Sequence, residues 1–109
     1  MRKIEVRIRN PVIALSGEID MSTTDTMVAA LEPSVWAGGP LTLDVSEVTF
    51  MDSTALHALV TASRALGERG CIIVHGAHGA VWTLLQMTKV DEALENMHFI
   101  PCRVLDPAA

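Results

Sequence analysis

The sequence predicts a single α/β domain, a mixed β-sheet in the order β-β-α-β-α-β-α-β with helices packed mainly on one face. Three observations predict it. Segments with an apolar period of two take turns with segments whose apolar residues recur at three and four, which implies parallel strands joined by helical crossovers. The first segment, Lys3–Arg9, alternates strictly, with Ile4, Val6 and Ile8 on one side and Lys3, Glu5, Arg7 and Arg9 on the other. Such a strand has one wet face and suits an antiparallel pairing. Finally, 109 residues of which 50% are apolar make one domain, residues 1–109, whose core needs no staples.

The elements follow in order. Asn10-Pro11 is a turn signal, and Val12–Leu15 is a short apolar run, so a hairpin is expected there. Gly17-Glu18-Ile19-Asp20 leaves that second strand. Ser22 or Thr23 is placed to cap a helix with Asp25 in its first turn, and Met27, Val28, Leu31 and Val35 follow helical spacing. Pro33 predicts an end or kink near Leu31. Leu41, Leu43 and Val45 alternate with Thr42 and Asp44 as a third strand, and Ser46–Met51 reads as a connection.

From Ser53 to Glu68 the pattern is helical, with a stripe of Leu56, Leu59, Val60, Ser63 and Leu66, a small-residue shoulder of Ala55, Ala58, Ala62 and Ala65, and a wet face of His57, Thr61, Arg64 and Glu68. Gly70 suits the helix exit. Cys71–His75 reads as a fully buried central strand, Gly76–Gly79 as a loop, and Ala80–Met87 as a third helix. Asp91–Leu94 adds a helical turn, Phe99-Ile100 a last short strand, and residues 105–109 a tail.

Composition excludes several functions. Aromatic residues are only 4% with no Tyr, so the core is aliphatic, and the apolar content excludes disorder. Eight Lys and Arg face thirteen Asp and Glu, for a net charge of −5. There is no basic block for a phosphate backbone and no basic amphipathic helix for a membrane surface, so no direct nucleic-acid contact and no membrane insertion are expected. The longest run without formal charge, Gly70–Thr88, holds two His, three Gly and a Gln and changes period halfway, unlike a membrane span. The N-terminal residues lack an apolar targeting core, and two distant cysteines, Cys71 and Cys102, make no disulfide framework. A cytoplasmic protein with reduced thiols is the expectation.

Candidate chemistry is sparse. Cys71, His75 and His78 form the only local group of metal-ligating types, but two strand residues four apart stand roughly 13 Å from each other, too far for one ion. No metal or cofactor is expected. Ser53 and His57 lie four apart on one helix, yet no G-x-S-x-G elbow is present, nor a phosphate-binding glycine loop, so no hydrolase or nucleotidase activity is expected. The informative constellation is Thr49-Phe50-Met51-Asp52-Ser53-Thr54-Ala55-Leu56, where two hydroxyls and a carboxylate sit at a loop-to-helix junction. The plain reading is an N-cap by Asp52 or Ser53. A hydroxyl at a helix N-terminus is also well placed to carry a phosphate, because the leading N–H groups and the positive end of the macrodipole stabilise the anion.

The segment Leu43-Asp44-Val45-Ser46-Glu47-Val48-Thr49-Phe50-Met51-Asp52-Ser53-Thr54 resembles the signature of STAS domains of the anti-sigma factor antagonist family. Gly17-Glu18-Ile19-Asp20 resembles the family's second landmark, and Gly79–Leu94 is similar to its last helical segment. The resemblance implies that Ser53 is a phosphoacceptor, with Thr54 the second candidate. It implies that Asp20 and Asp52 lie beside it, and that Met51, Asp52, Thr54, Ala55 and His57 form the neighbourhood that a partner meets. Ala55 stands where the family usually has Gly, which raises helix propensity by about 1 kcal/mol.

The implied function is that of an anti-sigma factor antagonist, a kinase substrate and not an enzyme. Such a protein binds an anti-sigma factor with serine kinase activity and is released when Ser53 is phosphorylated, with a phosphatase to reset it. The alternative is a STAS subunit of a membrane assembly such as a bacterial lipid-transport ATPase complex, in which the same helix face is a permanent interface.

Overall fold

The computed structural model describes residues 4–9 and 12–101. Five strands form one sheet in the order β1-β2-β3-β4-β5: β1 (Ile4–Arg9), β2 (Val12–Ile19), β3 (Gly39–Met51), β4 (Gly70–Ala77) and β5 (Met97–Pro101). β1 and β2 pair antiparallel, from Ile4 opposite Gly17 to Arg9 opposite Val12, and every other pair is parallel. The helices are α1 (Thr24–Ala37), α2 (Ser53–Leu66) with a 3₁₀ turn at Gly67–Arg69, α3 (Gly79–Thr88) and the single turn α4 (Val90–Ala93). The expected turn at Asn10-Pro11, the tail and Cys102 lie outside the described residues.

The strand order advances by one at every parallel step. Crossovers of one hand that all step the same way must lie on the same face of the sheet, so this order puts the helices together. The buried rows agree. Ile13, Leu43 and Val74 stand side by side across β2, β3 and β4, and Leu41, Ile72 and Met97 make a second row across β3, β4 and β5. Met27 and Leu31 of α1, Leu56 and Leu59 of α2, and Val81 and Leu85 of α3 join the same aliphatic cluster. Each such side chain contributes roughly 1.5–3 kcal/mol by leaving water. The opposite face, with Ala14, Thr42, Asp44, Ile73 and His75, stays half-buried or exposed.

Several boundaries differ from the sequence reading, each for a physical reason. β3 continues through Ser46–Met51, which was expected to be a connection. The pairing passes from Ala14–Asp44 to Ser16–Glu47 and from Gly17–Val48 to Glu18–Phe50, so β3 holds one extra residue at each slip. These bulges put Val45, Val48 and Met51 in the core at a spacing of three, which hides the strand from a period-two search. β2 likewise runs on through Gly17–Ile19. β3, not Cys71–His75, is the central strand, and β4 alternates between the core residues Ile72 and Val74 and the half-buried Cys71 and Ile73.

α1 does not end at Pro33 but reaches Ala37. Pro33 and Ala29, whose carbonyl loses its helical donor, both lie on the exposed side of α1. α2 exits at Gly67, with φ 53°, and not at Gly70. Gly70 begins β4 and is kept small by packing, since a Cβ there would stand 2.1 Å from the Gly39 carbonyl oxygen. The expected loop Gly76–Gly79 shortens to His78 alone.

Candidate functional site at the N-terminus of α2

Parallel pairing brings the two sequence landmarks together. Ile19 is opposite Met51 at the ends of β2 and β3, and the Asp52 N–H donates to the Ile19 carbonyl at 3.1 Å. Asp20 and Asp52, the next residues of the two strands, therefore leave the sheet side by side.

Asp20 is 7% exposed and organises the entry to α1. Its Oδ1 accepts from the Ser22 N–H at 2.9 Å and the Ser22 hydroxyl at 2.7 Å. Its carbonyl accepts from the N–H groups of Thr23 and Thr24 and from the Thr24 hydroxyl at 2.6 Å. Thr23 occupies the N-cap position of α1, but its hydroxyl makes no cap bond there. That hydroxyl accepts from the Asp20 N–H and donates to the Glu18 carbonyl, so it ties the turn to the end of β2.

Asp52 caps α2. Its backbone is extended, and its Oδ1 accepts from the N–H groups of Thr54 at 3.0 Å and Ala55 at 3.2 Å. The Thr54 hydroxyl donates to the same oxygen and lies 3.4 Å from the Thr24 hydroxyl of α1. Ser53 is exposed at the first helical position, and its hydroxyl makes no hydrogen bond among the described residues. Of the two cap candidates, then, Asp52 does the capping, and the Ser53 side chain faces water at the positive end of the helix.

The remaining expected residues divide by burial. Met51 and Ala55 point into the core and hold the site from beneath, so the Ala55 methyl meets the protein interior and no partner surface. His57 is exposed one turn beyond Ser53. The structure adds residues that the sequence reading did not select. Thr24 reaches Thr54 across 30 positions, and two exposed apolar residues adjoin the landmarks in sequence, Met21 (79% exposed) directly after Asp20 and Phe50 (39% exposed) opposite Glu18 near the end of β3. Phe50 lay within the quoted motif and Met21 beside the other, but neither carried a periodic signal of exposure.

The metal-ligating types do not converge. Among the described residues no three His, Cys, Asp or Glu stand together as a cation site, and the His78 ring Nε2 is 2.8 Å from the Ser46 carbonyl. No helix among the described residues is long and apolar enough to cross a membrane.

The family model described as "Mlab, STAS domain" matches residues 5–100. The chain belongs to the STAS domain family. Anti-sigma-B factor antagonists of Listeria monocytogenes and Listeria innocua are 33% identical to this STAS domain over 85 residues, covering 76% of it and 75% of each relative. The crystal structure of an anti-sigma factor antagonist from Mycobacterium paratuberculosis superposes with a TM-score of 0.75 at 27% identity, covering 96% of this STAS domain and 88% of that chain. The anti-sigma factor antagonist SpoIIAA in its unphosphorylated form shares the fold, with a TM-score of 0.68 at 17% identity over 88% of this chain and 86% of the other.

Proposed function

We propose that this STAS domain is an anti-sigma factor antagonist that holds an anti-sigma factor through the N-terminal end of α2 and lets it go when Ser53 is phosphorylated. The observation that carries the reading is the division of labour at that end. Asp52 satisfies the helix, Thr54 is bonded to Asp52, and the Ser53 hydroxyl alone is exposed and without a hydrogen bond among the described residues. A kinase that takes the proton of Ser53 disrupts no bond of the fold. The antagonists among the relatives support the assignment of the partner class.

The chemistry of release is electrostatic. A phosphate adds about −1.5 to −2 charges at this point. The helix dipole offsets part of that charge, so the fold tolerates it. Asp52 and Asp20 remain beside it. At about 6 Å and an effective dielectric of about 40, a dianion and one carboxylate repel by roughly 3 kcal/mol before salt screening. A partner would have to strip water from that anionic patch, and even about 1.4 kcal/mol surviving in the complex is a tenfold loss of affinity.

The test is a phosphorylation assay with the serine-kinase anti-sigma factor encoded in the same genome. Incubation with ATP and mapping by mass spectrometry should place one phosphate on Ser53 and none on the S53A variant. A phosphate on Thr54 would move the switch to a hydroxyl already bonded to the cap, and no phosphate on either residue would leave the site a permanent interface.

A further inference from the structure

Along the seam where α1 packs on α2 lies an open groove of about 480 Å³, within the range of small-molecule sites. Its lining is largely aliphatic, Val28, the buried Leu31 and Val35 from α1 and Ala58, Ala62 and Ala65 from α2, with the Thr61 hydroxyl among them. Trp36 stands on the rim, 79% exposed. Arg69 lines the far end, with Nη1 donating to the Trp36 carbonyl at 3.1 Å and Nη2 to the Ala65 carbonyl at 2.9 Å. The guanidinium thus bridges the last turns of the two helices. It has no carboxylate partner among the described residues, and two of its five N–H groups suffice for those bonds.

We propose that this groove binds a fatty acid of medium chain length, the carboxylate on Arg69 and the hydrocarbon lying between α1 and α2 toward Val28 and Ala58. A cation at one end of an apolar slot is the complement of an anionic head on an apolar tail. The stretch from Val28 to Trp36 is about 12 Å of helix, which sets the length of chain that it covers. α1 and α2 pack directly on one another, and helices in contact lie about 8–10 Å apart. The groove therefore runs over the seam of two helices already in contact, where an extended chain can lie along their length. Glu32 also lines the groove and opposes an anion there, so it limits affinity. The groove lies along the helices away from Ser53, so this inference stands apart from the proposed switch.

Trp36 and Trp82 are the two tryptophans, so a W82F variant makes Trp36 the sole reporter. Titration of that variant with dodecanoate, below its micelle concentration, should give a saturable change in Trp36 fluorescence. Dodecanol should bind at least tenfold more weakly, because it lacks the charge for Arg69. A62F, which fills the groove, should lose at least tenfold in dodecanoate affinity with native circular dichroism, and E32Q should tighten binding. If A62F fails to fold, the comparison of dodecanoate with dodecanol on W82F still decides. No saturable change up to about 1 mM, equal binding of the two amphiphiles, or undiminished binding by folded A62F would each overturn the proposal. Protection of Trp36 by an anti-sigma factor but not by dodecanoate would overturn it in favour of protein docking.

Discussion

The two ends of α2 are built on opposite plans. At its N-terminus one local residue, Asp52, satisfies Thr54 and Ala55 and leaves Ser53 open to water. At its C-terminus a residue from across the domain does the work. The two N–H groups of Asn96 Nδ2 serve the carbonyls of Ser63, Gly67 and, at a longer 3.3 Å, Gly70, and its Oδ1 accepts from the fully buried Ser63 hydroxyl. The Asn96 carbonyl also accepts from the Ile72 N–H at 2.7 Å, which fastens the start of β4. One end is clamped from a distance and carries stability. The other takes its helix cap from Asp52 itself, and in the proposed function it accepts a change of charge without loosening the fold. The proposed switch needs both, because a phosphate that unfolded its carrier would signal nothing about partners.

That contrast is breakable first at the clamp. N96A strips a donor from three carbonyls and a partner from a buried hydroxyl, and the cost expected is about 3 kcal/mol in urea unfolding. Partner affinity of the folded fraction should not change. A loss below about 1 kcal/mol would mean that the C-terminal end of α2 is held by packing alone.

The next effect is at the cap. D52A removes the acceptor for two leading N–H groups and should cost about 1 kcal/mol. G67A forces a side chain into a backbone region open essentially to glycine alone, φ 53° and ψ −131°, and should cost about 1–3 kcal/mol at the clamped end. Thermal melts of the two variants would sharpen the comparison. If D52A proved as damaging as N96A, the N-terminal end would not be the independent one.

The smallest stability effect expected is that of S53A. Its hydroxyl bonds to nothing among the described residues, so the change should stay within about 0.5 kcal/mol. A larger loss would show that Ser53 supports the helix after all.

The same contrast explains what was legible in the sequence. Local chemistry was: the strict alternation of β1, the stripe of α2 and the hydroxyl-carboxylate junction at residues 52–54 all announce themselves within a few positions. The continuation of β3 was not, because two bulges turn a period of two into a period of three from Val45 to Met51. The length of α1 was hidden because an interior proline ordinarily ends or kinks a helix, whereas α1 carries an exposed Pro33 and continues to Ala37. Asn96 and Thr24 were illegible because their roles exist only once residues some 30 positions away arrive beside them. The resemblance already ranked Ser53 over Thr54 as the phosphoacceptor; what the structure adds is that the Thr54 hydroxyl is bonded to Asp52 and that of Ser53 is not.

In the proposed function, charge at Ser53 controls binding while leaving the domain folded. That is tested most directly by titrating unphosphorylated protein, S53A and S53D against the serine-kinase anti-sigma factor of the same genome, with circular dichroism and melting on each. S53A should bind as tightly as the unphosphorylated protein, and S53D at least tenfold more weakly, with all three showing native spectra and closely similar melting temperatures. Equal affinities for S53A and S53D, with native spectra for both, would contradict the account.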